Sequence, residues 1–324
     1  MSSIESPPDE AALRGAQRTL SKVAVRTPLV ESPAINERFG MRVLLKLECQ
    51  QRTGAFKFRG AYCKVASLTE AQRRSGVVAT SSGNHAQALA RAGQILGIPI
   101  TVIMPDNAPQ IKLEATRGYG ATVIQYDRAE TTREALAKSL QEKSGQVLVP
   151  PFDHPHVVAG QGTAVKELIE EVGSLDLLLV CTGGGGLLSG SAISAKHLSP
   201  SCRVVGVEPE AGDDVTRSFQ TGTIQSVHNP DTIADGARTH SPSTLTFSLI
   251  RQHVDEMVTV PDRALAKTMF FLWERMKIVV EPTGALAATA LFTSGLVEKG
   301  QRVGVVISGG NVDMTAIPSL LALL

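Results

Sequence analysis

Eight short runs of aliphatic and β-branched residues recur along this 324-residue chain, nearly all separated by helix-like stretches. The runs are RVLLKLE at 42–48, GVVAT at 76–80, ITVIMP at 100–105, ATVIQY at 121–126, QVLVPPF at 146–152, DLLLVCT at 176–182, RVVGVEP at 203–209 and RVGVVIS at 302–308. Most are apolar without a break, as strands covered on both faces must be, whereas 85–97 and 161–172 carry the periodicity of amphipathic helices. This order predicts an α/β protein with parallel, buried sheets. No repeat, low-complexity tract or linker divides the chain, so a second lobe is expected as an insertion. Residues 1–67 and 153–324 would form a large domain and 68–152 a small one.

A hydrophobic content of 43% suits a packed core. A net charge of +1 gives no reason to expect nucleic acid or an anionic membrane as partner, which leaves small ligands. Cys49, Cys63, Cys181 and Cys202 show no metal-ligand spacing. MSSIESPPDEAALRG has acidic and proline residues where a secretory signal needs an apolar run. A reduced, cytoplasmic protein is the expectation. No apolar stretch approaches the ~20 residues of a membrane span.

Several strands end in polar or glycine-rich turns that open a helix, and in open α/β sheets ligands bind at such carboxyl ends. In VCTGGGGLLSG, Gly183, Gly184, Gly185 and Gly186 let backbone N–H groups approach an anion, and the next helix adds its partial positive charge. With no Walker lysine and no GxGxxG spacing, this is a phosphate cradle of neither common nucleotide type. ATSSGNHAQALA offers two readings: Ser81, Ser82 and Asn84 are good helix caps, or the N–H groups from Ser82 through Gly83 and Asn84 to His85 form a carboxylate site. TGAFKFRG places Lys57 between two phenylalanines. Its stem can lie on apolar neighbours with the ammonium in water, or burial can lower its pKa so that the neutral amine attacks a carbonyl. A phosphate cradle, a carboxylate nest and such a lysine in one cleft converge on pyridoxal phosphate.

TGAFKFRGA, SSGNHAQALA, TGGGGLLSG and SGGNVD resemble, in order and spacing, the fold-type II pyridoxal-phosphate enzymes of the serine/threonine dehydratase and serine racemase branch. RTPLVES, AGQGTAVKE, TIADGA and EPTGALA extend the likeness over essentially the whole chain. The resemblance implies a tryptophan-synthase-β-like pair of open twisted parallel-sheet domains with the cofactor between them. Lys57 would be the Schiff-base lysine, Phe56 would pack on the cofactor ring, Asn84 would bond its 3-oxygen, Gly183 to Gly186 would hold its phosphate, and Ser308 would face its ring nitrogen. A hydroxyl at that nitrogen leaves the ring a poor electron sink, which favours loss of a β-substituent.

The implied activity is an ammonia-lyase of β-hydroxy-α-amino acids: the freed Lys57 amine removes the Cα proton, the β-hydroxyl leaves, and hydrolysis yields a 2-oxo acid and ammonia. Ser82 matches the acid/base serine of the racemase, so an amino-acid racemase is the alternative. Arg133 matches an arginine that meets acidic groups in racemase complexes, or it is a solvated helix arginine. Arg238, Thr239 and His240 lie where the substrate side chain is read, and would suit serine, threonine or 3-hydroxyaspartate. Glu208, Asp214 and the Gly212 carbonyl match a Mg²⁺ or Ca²⁺ site, against the plainer reading of a solvated acidic loop. Ala55 stands where relatives usually carry serine, so substrate preference is expected to move. The resemblance also implies a homodimer or homotetramer. The chain ends soon after SGGNVD, so a C-terminal regulatory domain is not expected.

Overall fold

The computed structural model describes every residue except 1–5, Ser82, Pro109, Arg128 and Ala129; of Ile111, Arg133 and Glu134 only the backbone is described. Ten strands form two sheets: β1 (Leu29–Val30), β2 (Arg42–Leu47), β3 (Val77–Thr80), β4 (Ile100–Pro105), β5 (Thr122–Tyr126), β6 (Val147–Leu148), β7 (Leu177–Cys181), β8 (Arg203–Pro209), β9 (Glu256–Val260) and β10 (Arg302–Ile307). The larger sheet runs β1-β2-β10-β7-β8-β9 and the smaller β5-β4-β3-β6. Every pairing is parallel except that of the short β1 with β2. The eight strands expected from sequence are all present, and 146–152 pairs over only Val147–Leu148 before the chain turns into Pro150 and Pro151. The apolar runs are the central strands: β7 is buried along its whole length, and β2 and β10 at every residue but the first.

Helices cover the strands on capping signals written in the sequence. Pro155–Val172 starts with proline in its first turn and Ser243 caps Thr244–His253 through a capping box. Pro155–Val172 and Gly186–Leu198 cross closely because both lack side chains at the contact. A Cβ on Gly190 would lie 2.3 Å from the Val158 carbonyl oxygen, and one on Gly162 would lie 2.4 Å from that of Gly190.

The apolar core of the smaller sheet also takes in Ala16 and Leu20 of helix Glu10–Leu20 and Phe58, Ala61, Tyr62 and Val65 of helix Lys57–Ala66. The helix that begins at Lys57 is thereby wedged between the lobes. Its second anchor is ionic. Arg59, fully buried, donates to Glu48 through Nε (2.8 Å) and Nη2 (2.8 Å) and to Glu167 through Nη1 (2.7 Å) and Nη2 (2.8 Å). Lys46, equally buried, donates to Glu167 (2.7 Å) and the Thr27 carbonyl (2.9 Å). Two cations and two carboxylates thus balance, and four chain segments are fixed against one another.

Candidate active site

The carboxyl ends of β3, β7 and β10 and the helices they open converge on one cleft of about 870 Å³. Helix Lys57–Ala66 begins at the lysine, whose amine donates to the Pro151 carbonyl (2.9 Å) and lies 5.1 Å from the Phe56 ring centre. Burial pushes the Lys57 pKa down to about 8, with the nearby Cys181 acting in the opposite direction. The amine is therefore neutral in roughly a tenth of molecules at pH 7, far more than an exposed lysine. Of its two flanking phenylalanines Phe56 lines the cleft with it, while Phe58 packs into the core of the smaller sheet against Tyr62.

Phe56 and Lys57 are tied to the end of β10. Phe56 N–H donates to the Ser308 carbonyl (3.0 Å), and Ala55 bridges to Gly309. Ser308 lines the same cleft, its hydroxyl buried without a hydrogen-bond partner.

Ser81, Gly83, Asn84 and His85, at the turn from β3 into helix Asn84–Leu96, also line the cleft. Asn84 is held on both sides of its amide: Nδ2 donates to Glu281 Oε1 (2.7 Å), and Oδ1 accepts from Asn311 Nδ2 (2.8 Å). His85 Nε2 lies 3.0 Å from the Val149 carbonyl and donates to it, leaving Nδ1 buried without a partner. Burial foremost, then the positive charge of Lys57, lowers the His85 pKa to about 3, so the ring is neutral. Ser82 lies outside the described residues. Of Arg133 only the backbone is described, at the start of helix Arg133–Ser144.

The glycine loop joins β7 to helix Gly186–Leu198, with Gly185 at φ +86°. Glycine is required here by its neighbours. A Cβ on Gly184 would fall 2.2 Å from the Phe152 ring and one on Gly186 would fall 2.6 Å from Gln161 Oε1. Gln161 Oε1 and Thr182 Oγ1, beside the loop, are buried and unpartnered. A backbone cradle at a helix N-terminus, orphaned polar atoms around it, and a desolvated amine across the cleft fit a phosphorylated aldehyde.

Arg238, Thr239 and His240 also line the cleft. The Arg238 guanidinium folds back onto its own loop, donating to the Thr232 carbonyl through Nε (2.9 Å) and Nη2. The Thr239 hydroxyl is buried and unpartnered. Glu281 was not anticipated from sequence. It is 4% exposed, borders the cleft and grips Asn84, and burial raises its pKa to about 8, so it is largely protonated at neutral pH. Its signal was EPTGALA, which alone reads as a helix start with proline in the first turn.

Glu208, near the end of β8, is within electrostatic reach of Asp214 at the start of helix Asp214–Thr221, and neither they nor Gly212 lines the cleft. Glu208 is fully buried and accepts from Val215 N (3.2 Å), Thr216 N (2.6 Å) and Thr216 Oγ1 (2.7 Å). Both carboxylate oxygens of Asp214 are buried without partners. Burial, and for Glu208 also the neighbouring Asp214, lifts the Glu208 pKa well above the carboxylate range; burial lifts that of Asp214 to about 7. Such a pair fits a hard cation with oxygen ligands. Among the described residues no group of three or more His, Cys, Asp or Glu could hold a metal, so carbonyls or water would have to complete the shell.

Two open parallel sheets with a buried amine, a glycine cradle and a helix N-terminus facing one cleft define an α/β enzyme built around a phosphorylated carbonyl cofactor. Residues 20–309 match the model of the pyridoxal-phosphate dependent enzymes, and the chain belongs to that family. It is 52% identical to a serine racemase of Schizosaccharomyces pombe, over 92% of this chain and 93% of that one. It is 49% identical to an L-threo-3-hydroxyaspartate ammonia-lyase of Saccharomyces cerevisiae, over 95% and 94%. Among solved structures, maize serine racemase superposes with a TM-score of 0.92 at 37% identity, covering 98% of both chains. No helix among the described residues is long and apolar enough to cross a membrane.

Proposed function

We propose that this enzyme is an ammonia-lyase of β-hydroxy-α-amino acids, converting L-threo-3-hydroxyaspartate, L-serine or L-threonine to a 2-oxo acid and ammonia by α,β-elimination. The observation that carries the reading is the desolvated Lys57 amine in one cleft with Ser81, Gly83, Asn84, His85 and the unpartnered Ser308 hydroxyl. Bound pyridoxal phosphate supplies an electron sink for the charge that develops at the substrate Cα.

The chain's own groups do the rest. Gly183 to Gly186 and the N-terminus of helix Gly186–Leu198 hold the phosphate. The N–H groups at the start of helix Asn84–Leu96 bind the substrate carboxylate, and Asn84, clamped by Glu281 and Asn311, keeps its amide in one orientation. Lys57, neutral for part of the time at working pH, takes the Cα proton. Ser308 would present a neutral hydroxyl to the cofactor ring where an aspartate would hold a positive charge, and so would favour loss of the β-hydroxyl as water over prolonged charge at Cα. Glu208, Asp214 and the Gly212 carbonyl hold Mg²⁺ or Ca²⁺ as a structural ion. Similarity to a serine racemase favours a second reading, racemisation with Ser82 on the opposite face.

The test incubates the holoenzyme separately with L-serine, L-threonine and L-threo-3-hydroxyaspartate, following oxo acid, ammonia and the chirality of the remaining substrate. Oxo acid and ammonia in equal amounts are expected. Inverted amino acid without oxo acid would replace the lyase by the racemase.

A further inference from the structure

A dicarboxylic substrate brings a second carboxylate into the cleft, and a cation there would form the stronger, charge-assisted bond to it. Among the described side chains lining the cleft, the basic ones are Lys57, His85, Lys112, Arg238 and His240. Lys57 is committed to the amine chemistry, and the neutral His85 is tied to Val149. Arg238 is spent on the Thr232 carbonyl, and the ring of His240 lies against His228 at 5.8 Å. Lys112 differs from these. It projects from helix Gln110–Gly118 of the small lobe and crosses the cleft to Asp235 of the large lobe, Nζ to Oδ2 at 3.0 Å.

That bridge is built to be exchanged. The Lys112 side chain is 23% exposed and that of Asp235 is 47% exposed, so water screens the pair and its net worth is about 1 kcal/mol or less. Asp235 can turn to solvent at little cost. The pair is also within electrostatic reach of the centre of the site. Both charges act on Glu281, which holds Asn84, and Lys112 also acts on Asp313. Glu281 is largely protonated and Asp313 already accepts from Thr315 N–H (2.9 Å), so Asp235 is the anion that competes most directly for Lys112.

We propose that Lys112 receives the side-chain carboxylate of a dicarboxylic β-hydroxy amino acid, taking it in exchange for Asp235. The inference rests on the lyase reading and names the substrate class that the site prefers. The Lys112–Asp235 pair then works as a selector. With serine or threonine the bridge stays closed, and with a dicarboxylate it is replaced by a bridge to the substrate itself.

A structural strap and a selector respond differently to loss of each partner. Breaking a strap from either side has the same effect. In a selector Lys112→Met and Asp235→Asn act in opposite directions, because the first removes the receptor and the second removes its competitor. The measurement is the ratio of kcat/KM for L-threo-3-hydroxyaspartate to that for L-serine in the holoenzyme, together with the inhibition constant of succinate, an unreactive dicarboxylate. Lys112→Met is expected to lower the ratio about tenfold or more and weaken succinate to match. Lys112→Arg should restore most of both, and Asp235→Asn should raise both. Changes in the same direction for the two variants, or a ratio that moves less than about threefold in Lys112→Met, about half of one tenfold step of about 1.4 kcal/mol, would overturn the proposal. Oxo acid from serine with the hydroxyaspartate inert would also overturn it while leaving the lyase reading intact. Succinate binding that follows the expected order without oxo acid from any substrate would keep Lys112 as a carboxylate receptor and sink the lyase.

Discussion

Glu281→Gln replaces the buried acid that grips Asn84 with a neutral group of the same shape, whose amide oxygen can still accept the Asn84 N–H. An unfolded glutamate titrates near 4.5, whereas burial in the native site raises Glu281 to about 8. Between those values the native protein holds a proton that the unfolded chain has released, so stability falls as pH rises. The contribution is fully present below pH 4.5 and lost by the time pH passes about 8. Each pH unit in that window costs the fold about 1.4 kcal/mol, and the whole window roughly 5 kcal/mol. The glutamine variant has no such proton. Glu208 and Asp214 also titrate high, but they do so in both proteins and cancel in the difference. Urea unfolding of the cofactor-free proteins at pH 5, 6, 7 and 8 (about one-unit steps across the window) should show the variant within about 1 kcal/mol of wild type at the acid end. It should gain on wild type by roughly 1 kcal/mol per step thereafter. A difference flat across the series would show that Glu281 ionises normally and that the Asn84 clamp is an ordinary carboxylate.

Arg59→Met strands Glu48 and Glu167 in the interior with only Lys46 to answer them. The expected loss is about 3–5 kcal/mol in urea or thermal unfolding, and most of it should return when Glu48 is also replaced by an apolar residue. If the proposed cation site is real, Mg²⁺ or Ca²⁺ should raise the melting temperature of the wild type, an effect of about 2.7 kcal/mol at a hundredfold excess over Kd, and Asp214→Asn should abolish that rise. An undiminished response would place the cation elsewhere.

The strands that position the site were legible because burial on both faces leaves an unbroken apolar run, as in LLLVC at β7 and RVGVVI at β10. β9, EMVTV, was not anticipated: it is a sheet-edge strand in which Met257 and Val260 are buried three residues apart, so neither an unbroken apolar run nor an alternation marks it. Helix Pro155–Val172 starts earlier than periodicity suggested, because its start is set by proline and the His154 cap rather than by apolar spacing. Lys57, Asn84 and the glycine loop could be singled out because each follows a strand or opens a helix, whereas Ser308 was marked by the family resemblance. Glu281, Lys112 and the Arg59 cluster could not. A single line of sequence shows that a glutamate precedes a proline, but not that a second lobe comes down on it and removes its water. It gives no sign that Lys46, within an apolar strand, finds Glu167 on a helix far along the chain.

The stitch between Ala55–Phe56 and Ser308–Gly309 makes Lys57 and the Ser308 hydroxyl parts of one rigid piece, although they come from opposite ends of the chain. The residues proposed to read a substrate's side chain, Lys112 and those lining the cleft from Asp235 to Ser241, belong to other segments that this stitch does not hold. Bond-making and recognition are therefore separable to mutation. A lineage can vary the reading segments freely while the reacting pair keeps its spacing, which gives a physical basis for one backbone, at a TM-score of 0.92, serving relatives of different named activities.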